Sequence, residues 1–362
     1  MTTENTIRPV LFMAGGTGGH IFPALAIAEQ MQKQAIPVQW LGSAQGMEGD
    51  LIPKAGITLH TLAITGLRGK GIARLLTAPF SLLAAVWQAI GLLRRIRPRL
   101  VVGMGGFASG PGGIAAWILG IPLCVHEQNA VAGLTNSWLA KMATVVMQAF
   151  PYTFPPHYKA ITTGNPLRST INSHPKKVAE TVHILIVGGS LGAQVLNETV
   201  PAALKQLSTP ISVRHQTGKR HYERMQTAYD DATFPVELDA FIDNMGAAYA
   251  WADIVICRAG ALTVSELAQA GVGSILIPFP HAVDDHQTRN AEFLVENNAA
   301  ILVPQSQLTV EKLTKILQTL SADQNEVMAM SKAALNCATP DATTQVTRYC
   351  LDAALPANKK EK

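Results

Sequence analysis

At 362 residues the chain is too long for one ordinary core, and its length predicts two domains. With 48% hydrophobic and 15% charged residues it is neither disordered nor a coiled coil, and a net charge of +4 is too mild for a nucleic-acid binder. Four widely spaced cysteines without a Cys-x-x-Cys pair argue against a disulfide framework or a zinc site, and no export signal marks the start, so a cytoplasmic protein is expected.

The apolar run 9–14 predicts a strand. Gly15-Gly-Thr-Gly-Gly-His20 follows it, and a helix is expected from Phe22 with proline in its first turn, the pattern of a phosphate-binding loop. A dinucleotide fingerprint fails here. Its third glycine position falls on Ile21, and the second strand, 38–42, ends in Ser43 and Ala44 rather than an acid, so NAD is the weaker reading. His20, at a helix start beside a glycine gap, suits a neutral base; a cap or a packed histidine explains it equally well.

A basic loop, Gly66-Leu-Arg-Gly-Lys-Gly71, leads into 75–93, a span without a charge. Its length permits a membrane crossing, but Pro79, Ser81, Gln88 and Gly91 interrupt it, and crossing would put strands of one sheet on opposite sides of the bilayer. A core helix or a helix lying in a membrane surface remains. Leu76, Phe80, Leu83, Trp87 and Ile90 form an apolar stripe, and the surrounding Arg68, Lys70, Arg74, Arg94, Arg95, Arg97 and Arg99 favour anionic lipid.

Strand 100–103 opens into a second glycine-rich turn, 104–113, before a helix expected at 114–119. Strand 122–125 delivers His126-Glu-Gln-Asn-Ala130, in which Ala130 stands where a zinc-binding HExxH motif would need histidine. Glu127 or His126 suits acid/base work, with capping of the helix around 134–140 as the alternative. After a linker the pattern restarts: strand 182–187, Gly188-Gly-Ser-Leu-Gly-Ala193 and a helix from Gln194. Two Rossmann-like domains facing a central cleft are expected, with a glycine turn on each wall.

In the second half, strand 254–256 is broken by Gly260 and followed by helix 261–270. The unpaired N–H groups at that helix start fit a phosphate, and Glu266, about one and a half turns on, fits a ribose diol. The next strand, ended by prolines, carries Asp284, Asp285, His286 and Gln287 to its carboxyl end, and 341–355 forms a last helix.

Six stretches, 15–23, 66–71, 105–111, 126–129, 188–192 and 260–266, resemble in order the motifs of the MurG family, bacterial glycosyltransferases that add N-acetylglucosamine to lipid I to make lipid II. The resemblance implies a two-domain α/β GT-B fold. Residues 1–164 would bind the acceptor and the membrane, 165–340 the UDP sugar, and the helix 341–357 would pack back on the first domain. It further implies that uracil rests near Ile242 and the helix start Ala261, Leu262, Thr263, Val264 and Ser265, with the ribose on Glu266. The phosphates would lie near Ser190 and Arg168, the sugar on Gln287 and Asn129, and Thr17, Gly18 and Gly19 would meet the donor from across the cleft. His286 stands where some relatives carry glutamine, so either both His286 and Gln287 or Gln287 alone touches the sugar. Inversion at the anomeric carbon requires one base, His20 as first choice and Glu127 as second.

No Asp-x-Asp occurs, so no bridging metal and no cofactor are expected. The implied partners are UDP-N-acetylglucosamine, lipid I, anionic phospholipid and proteins of cell-wall synthesis and division, at the cytoplasmic face of the inner membrane and without nucleic acid. An epimerase acting on the same nucleotide sugar is the rival within the fold.

Overall fold

The computed structural model describes residues 7–43, 46–62, 72–173, 180–189 and 192–355, less the side chains of residues 72–78 and of Val283. It divides into two compact units, Met1–Arg168 with Asp341–Lys362, and Ser169–Pro340. The loop 66–71 and Ser190 lie outside the described residues.

In the first unit seven strands run parallel: β1 (Val10–Ala14), β2 (Val38–Gly42), β3 (Thr58–Thr61), β4 (Leu100–Gly105), β5 (Leu123–Glu127), β6 (Val145–Gln148) and β7 (Ile161–Thr162). Their spatial order is β3-β2-β1-β4-β5-β6-β7. Strands β1, β4 and β5 are buried throughout, because helices cover both faces of the sheet. Alternate side chains of β1 enter different cores. Val10, Phe12 and Ala14 pack with Ile21, Ala24, Ile27 and Met31 of helix Gly18–Lys33 and with Val346, Cys350 and Ala353 of helix Ala342–Ala353. Leu11 and Met13 pack with Val86, Ala89, Ile90 and Leu93 of helix Ile72–Ile96 and with Ala115 and Ala116 of helix Ser109–Ile118. Gln30 Nε2 donates to Thr344 Oγ1 at 3.2 Å, tying the last helix to the first.

In the second unit β8 (Val182–Val187), β9 (Ile211–Gln216), β10 (Val236–Asp239), β11 (Ile254–Cys257), β12 (Gly273–Leu276) and β13 (Ala300–Leu302) are also parallel, ordered β10-β9-β8-β11-β12-β13. Both sheets grow outward in two directions from their first strand, so the order reverses between β1 and β4 and again between β8 and β11. Ligands of open α/β sheets bind at the carboxyl ends of strands flanking such a reversal.

Two helices begin earlier than their sequence suggests. Helix Gly18–Lys33 starts four residues before Phe22, which puts His20 inside the first turn and Pro23 beyond it. Helix Ser109–Ile118 starts five residues before Ile114, so Gly112 and Gly113 are helical rather than part of a ligand loop. Glycine costs about 1 kcal/mol in a helix, yet a Cβ on Gly112 would strike Met13 Sδ, and one on Gly113 would lie 2.5 Å from Leu139 Cδ2. Close helix–sheet packing overrides propensity here.

The apolar stripe of helix Ile72–Ile96 divides. Ile90 is core, whereas Phe80, Leu83 and Trp87 are 75%, 58% and 64% exposed, and the side chain of Leu76 is outside the description. Among the described residues no helix is long and apolar enough to cross a membrane.

Candidate active site

At the reversal in the first sheet, two glycine loops meet backbone to backbone. Gly105 ends β4 and Gly106 follows it, with φ of +104° and +89°, in the left-handed region where a side chain is strained. A Cβ on Gly106 would fall 2.5 Å from Gly15 O, and one on Gly105 would fall 3.0 Å from His20 Nδ1 and Cε1. The bare backbone after β4 is thus the seat on which the His20 ring rests.

An acid does reach this loop, from a position the sequence does not advertise. Glu48, the first residue of helix Glu48–Lys54, is 1% exposed. Its Oε1 accepts from Ser43 N at 3.0 Å and Ser43 Oγ at 2.9 Å, and its Oε2 accepts from Gly16 N at 3.3 Å. A Cβ on Gly15 or Gly46 would overlap its carboxyl group. The carboxylate therefore holds the glycine loop rather than facing outward to a ribose.

The end of β5 supplies the other wall. Glu127, 1% exposed, accepts four hydrogen bonds: from Asn129 N (3.0 Å) and Asn129 Nδ2 (3.1 Å) at Oε1, and from Gly133 N (3.1 Å) and Asn136 Nδ2 (2.9 Å) at Oε2. It shapes the turn into helix Leu134–Leu139 and fixes Asn129. His20 Nδ1 lies 2.7 Å from Gln128 Oε1, and Gln128 Nε2 donates to His126 O at 2.9 Å and lies 3.1 Å from His126 Nδ1. His126 Nε2 is 3.0 Å from Gly164 O.

His126 is fully buried, and burial pushes its pKa down to about 4 against the smaller raising effects of Gly164 O and Glu127. In the second unit His215, between Tyr229 Oη and Asn197 Oδ1 at 3.0 Å each, is pushed down by burial to about 3. Both bind a proton on unfolding at any pH between these values and the ordinary 6.5. Their contribution is present above pH 6.5 and is lost as the pH falls towards 4, on the order of 3 kcal/mol for His126 alone. Thermal melts between pH 7.5 and 4.5 are expected to show a steady fall in Tm below 6.5. A flat profile would contradict the buried neutral state.

At the reversal in the second sheet, β11 passes through Arg258-Ala259-Gly260 into helix Ala261–Ala270. Ala261 and Val264 are buried in its first turn, while Leu262, Thr263 and Ser265 are half-buried; Ile242 is buried in its own loop. Glu266 is 7% exposed, and its Oε2 accepts from Tyr249 Oη at 3.1 Å. Arg258 is committed to structure: it donates to Ile277 O and Pro278 O at 3.1 Å and to Gln305 Oε1 at 2.7 Å. A cavity of about 420 Å³ lies here, lined by Gly188, Gly192, Arg258, Phe279, Gln287 and Gln305. Gln287 Oε1 accepts from Phe279 N at 2.9 Å, which leaves its NH₂ as the end that can donate to a ligand.

The first unit thus gathers Thr17, Gly18, Gly19, His20, Glu127 and Asn129 at one sheet end, and the second gathers the 261–266 turn and Gln287 at another. Arg168 closes the first unit with its guanidinium over the Phe22 ring, 5.2 Å from the centroid. His286 opens helix His286–Val295 behind two left-handed residues, Asp284 (φ +53°) and Asp285 (φ +50°). Sequence reasoning missed Glu48 and Gln128, whose roles depend on contacts 32 and 108 residues away.

Known proteins are similar to this chain in sequence and in fold. The family profile for the glycosyltransferase family 28 N-terminal domain matches residues 10–148, and that for its C-terminal domain matches residues 183–346. A protein of Marinobacter nauticus named UDP-N-acetylglucosamine--N-acetylmuramyl-(pentapeptide) pyrophosphoryl-undecaprenol N-acetylglucosamine transferase is 51% identical, over 97% of this chain and 99% of its own length. A protein of the same name from Aeromonas hydrophila is 50% identical, over 95% and 96%. The crystal structure of Acinetobacter baumannii MurG superposes with a TM-score of 0.86 at 43% identity, covering 95% of this chain and 99% of that one. The calicheamicin glycosyltransferase CalG4, at 15% identity and a TM-score of 0.67, shares the fold alone. The two-sheet GT-B architecture, both family 28 domains and the near-full-length identity agree: the chain belongs to the MurG family of glycosyltransferases.

Proposed function

We propose that the protein transfers N-acetylglucosamine from UDP-N-acetylglucosamine to the 4-hydroxyl of the N-acetylmuramyl residue of lipid I, giving lipid II and UDP. The observation that carries this reading is half-identity, over nearly the full length, to enzymes named for that transfer. The acceptor oxygen attacks the anomeric carbon opposite the diphosphate. Its proton passes to His20, the new C–O bond forms, and the bond to the β-phosphate oxygen breaks with its electron pair leaving on UDP. Glu127 shapes the turn beside His20 and holds Asn129, since four N–H groups already occupy its carboxylate.

On the donor side the 261–265 turn and Ile242 receive uracil, Glu266 the ribose, Ser190 and Arg168 the diphosphate, and Gln287 and Asn129 the sugar, with Thr17, Gly18 and Gly19 approaching the donor from the first unit. Preorganised N–H groups at the glycine turns offset charge on the leaving diphosphate. Tyr249, 1% exposed, aims Glu266. Tyr249→Phe is expected to weaken UDP binding by about 3- to 10-fold, the worth of one hydrogen bond, as measured by calorimetry. Unchanged affinity would remove Tyr249 from the donor site.

The reading is tested by transfer of labelled N-acetylglucosamine to a short-chain lipid I analogue, with and without EDTA. Transfer unaffected by EDTA is expected. Absence of transfer with UDP binding intact would overturn the acceptor assignment and favour an epimerase.

The same reading places the protein peripherally on the cytoplasmic face of the inner membrane. Phe80, Leu83 and Trp87 are exposed on one helix, Trp117 and Ile118 on the helix packed against it, and Leu134 and Trp138 on the next. Arg94, Arg95, Arg97 and Lys141 are exposed on the same elements or just beyond them, and such a mix suits anionic headgroups. Phe80→Ser with Trp87→Ser is expected to abolish cosedimentation with phosphatidylglycerol vesicles while UDP binding persists. Full retention on vesicles would refute this surface.

A further inference from the structure

Which nitrogen of an imidazole carries the proton follows from what each nitrogen faces. Around His20 those partners form a chain whose far end is fixed by the backbone. Gly164 O can only accept, and Thr163 Oγ1, 3.2 Å from the same nitrogen, spends its hydrogen on Gly164 O at 3.1 Å; His126 Nε2, 3.0 Å from Gly164 O, therefore carries hydrogen. His126 is fully buried and neutral, with its pKa pushed down to about 4, so its Nδ1 is a lone pair. The Gln128 amide group facing that lone pair at 3.1 Å and His126 O at 2.9 Å meets two acceptors, and must be the NH₂. Its oxygen is then the end that meets His20 Nδ1 at 2.7 Å.

Gln128 cannot turn over without setting its oxygen against two acceptors. It is 1% exposed, and its main chain is pinned by Asn165 Nδ2, which donates to Gln128 O at 3.0 Å. Asn136 Nδ2 likewise donates to His126 O at 3.2 Å. An amide oxygen accepts only, so His20 Nδ1 must donate to it.

We infer that Gln128, backed by His126 and the Gly164 carbonyl, is a positioning residue that holds the His20 imidazole in its Nδ1–H form and leaves Nε2 as the proton acceptor. This rests on the reading of His20 as the base. It adds that the base is oriented by an uncharged relay ending on a backbone carbonyl, where a carboxylate commonly serves. After proton uptake Nδ1–H still donates to Gln128 Oε1, so the contact persists through the reaction without rearrangement.

The test is ¹⁵N-histidine NMR of the full chain at pH 7.5, with the His20 signals identified by their loss in His20→Gln. Protonated Nδ1 and bare Nε2 are expected for His20, and the reverse for His126. In Gln128→Met, which keeps side-chain length but removes the acceptor, His20 is expected to shift towards the Nε2–H form that a free imidazole side chain favours. There kcat should fall about 10- to 100-fold while KM for UDP-N-acetylglucosamine stays within about 2-fold, because only the productive tautomer turns over. Protonated Nε2 on wild-type His20, or a tautomer unchanged in Gln128→Met, would overturn the inference. Should that variant fail to fold, the wild-type spectrum alone decides. The tautomer is read without substrate, so finding His20→Gln active would sink the base assignment separately, while the spectrum still judges the relay.

Discussion

Replacing His20 with alanine is expected to lower kcat for N-acetylglucosamine transfer by about 10²- to 10⁴-fold, the range for loss of a general base, with UDP affinity unchanged. The expectation comes from placement. The ring lies in the first turn of a helix at the sheet reversal, rests on a glycine backbone, and is held through Nδ1 at 2.7 Å from Gln128. Neither His20 nor Gln128 lines the cavity of the second unit, where the nucleotide is proposed to bind. Steady-state kinetics with a lipid I analogue, paired with calorimetry for UDP, would check it. Transfer within about tenfold of wild type would show that another group takes the proton.

Gly106→Ala is expected to cost about 2–5 kcal/mol of stability in the first unit. Two effects add: a left-handed φ costs a side chain about 1–2 kcal/mol, and forced contact in a packed site costs about 1–3. Here φ is +89° and the Cβ would press on the Gly15 main chain, with O at 2.5 Å and N at 3.0 Å, which cannot swing aside as a flexible side chain does. Gly110→Ala is the matched control. Its Cβ would meet only Thr135 Cγ2 at 3.8 Å, and in helix Ser109–Ile118 alanine is favoured over glycine. Denaturation followed by circular dichroism should show a loss for the first variant and none for the second. Equal stabilities would mean that the two loops are not pressed together.

Much of this architecture is legible in the amino-acid order, for a physical reason. Strands such as β1, β4 and β8 are covered on both faces, so they appear as unbroken apolar runs, and glycine turns mark their ends. Short strands lack that signature. β3, half-exposed along its length, and β6, β7 and β13, of four, two and three residues, are too short for any periodicity to pick out. Helix starts at Gly18 and Ser109 are hidden by the glycines in their opening turns, of which Gly112 and Gly113 serve close packing. In the site, His20 and Glu127 stand out because their chemistry is visible beside a strand end. Glu48 and Gln128 do not, since an acid or an amide acquires meaning only from the loop it touches across the fold. Residues such as Ala261, Leu262 and Val264 carry no chemistry in their side chains, and only the family pattern singles them out.

The core beneath helix Gly18–Lys33 is completed by Val346, Cys350 and Ala353, encoded after the whole of the second unit. On the ribosome, where chains emerge from their N-terminus and domains fold as units, the first unit must wait with Ala24, Ile27 and Met31 uncovered. The second unit, contiguous from Ser169 to Pro340, can finish while its predecessor is still incomplete. Order of synthesis and order of maturation are therefore reversed in this chain. A nascent polypeptide stalled before Asp341 would carry a finished second unit and an unsealed first one, a natural target for chaperones.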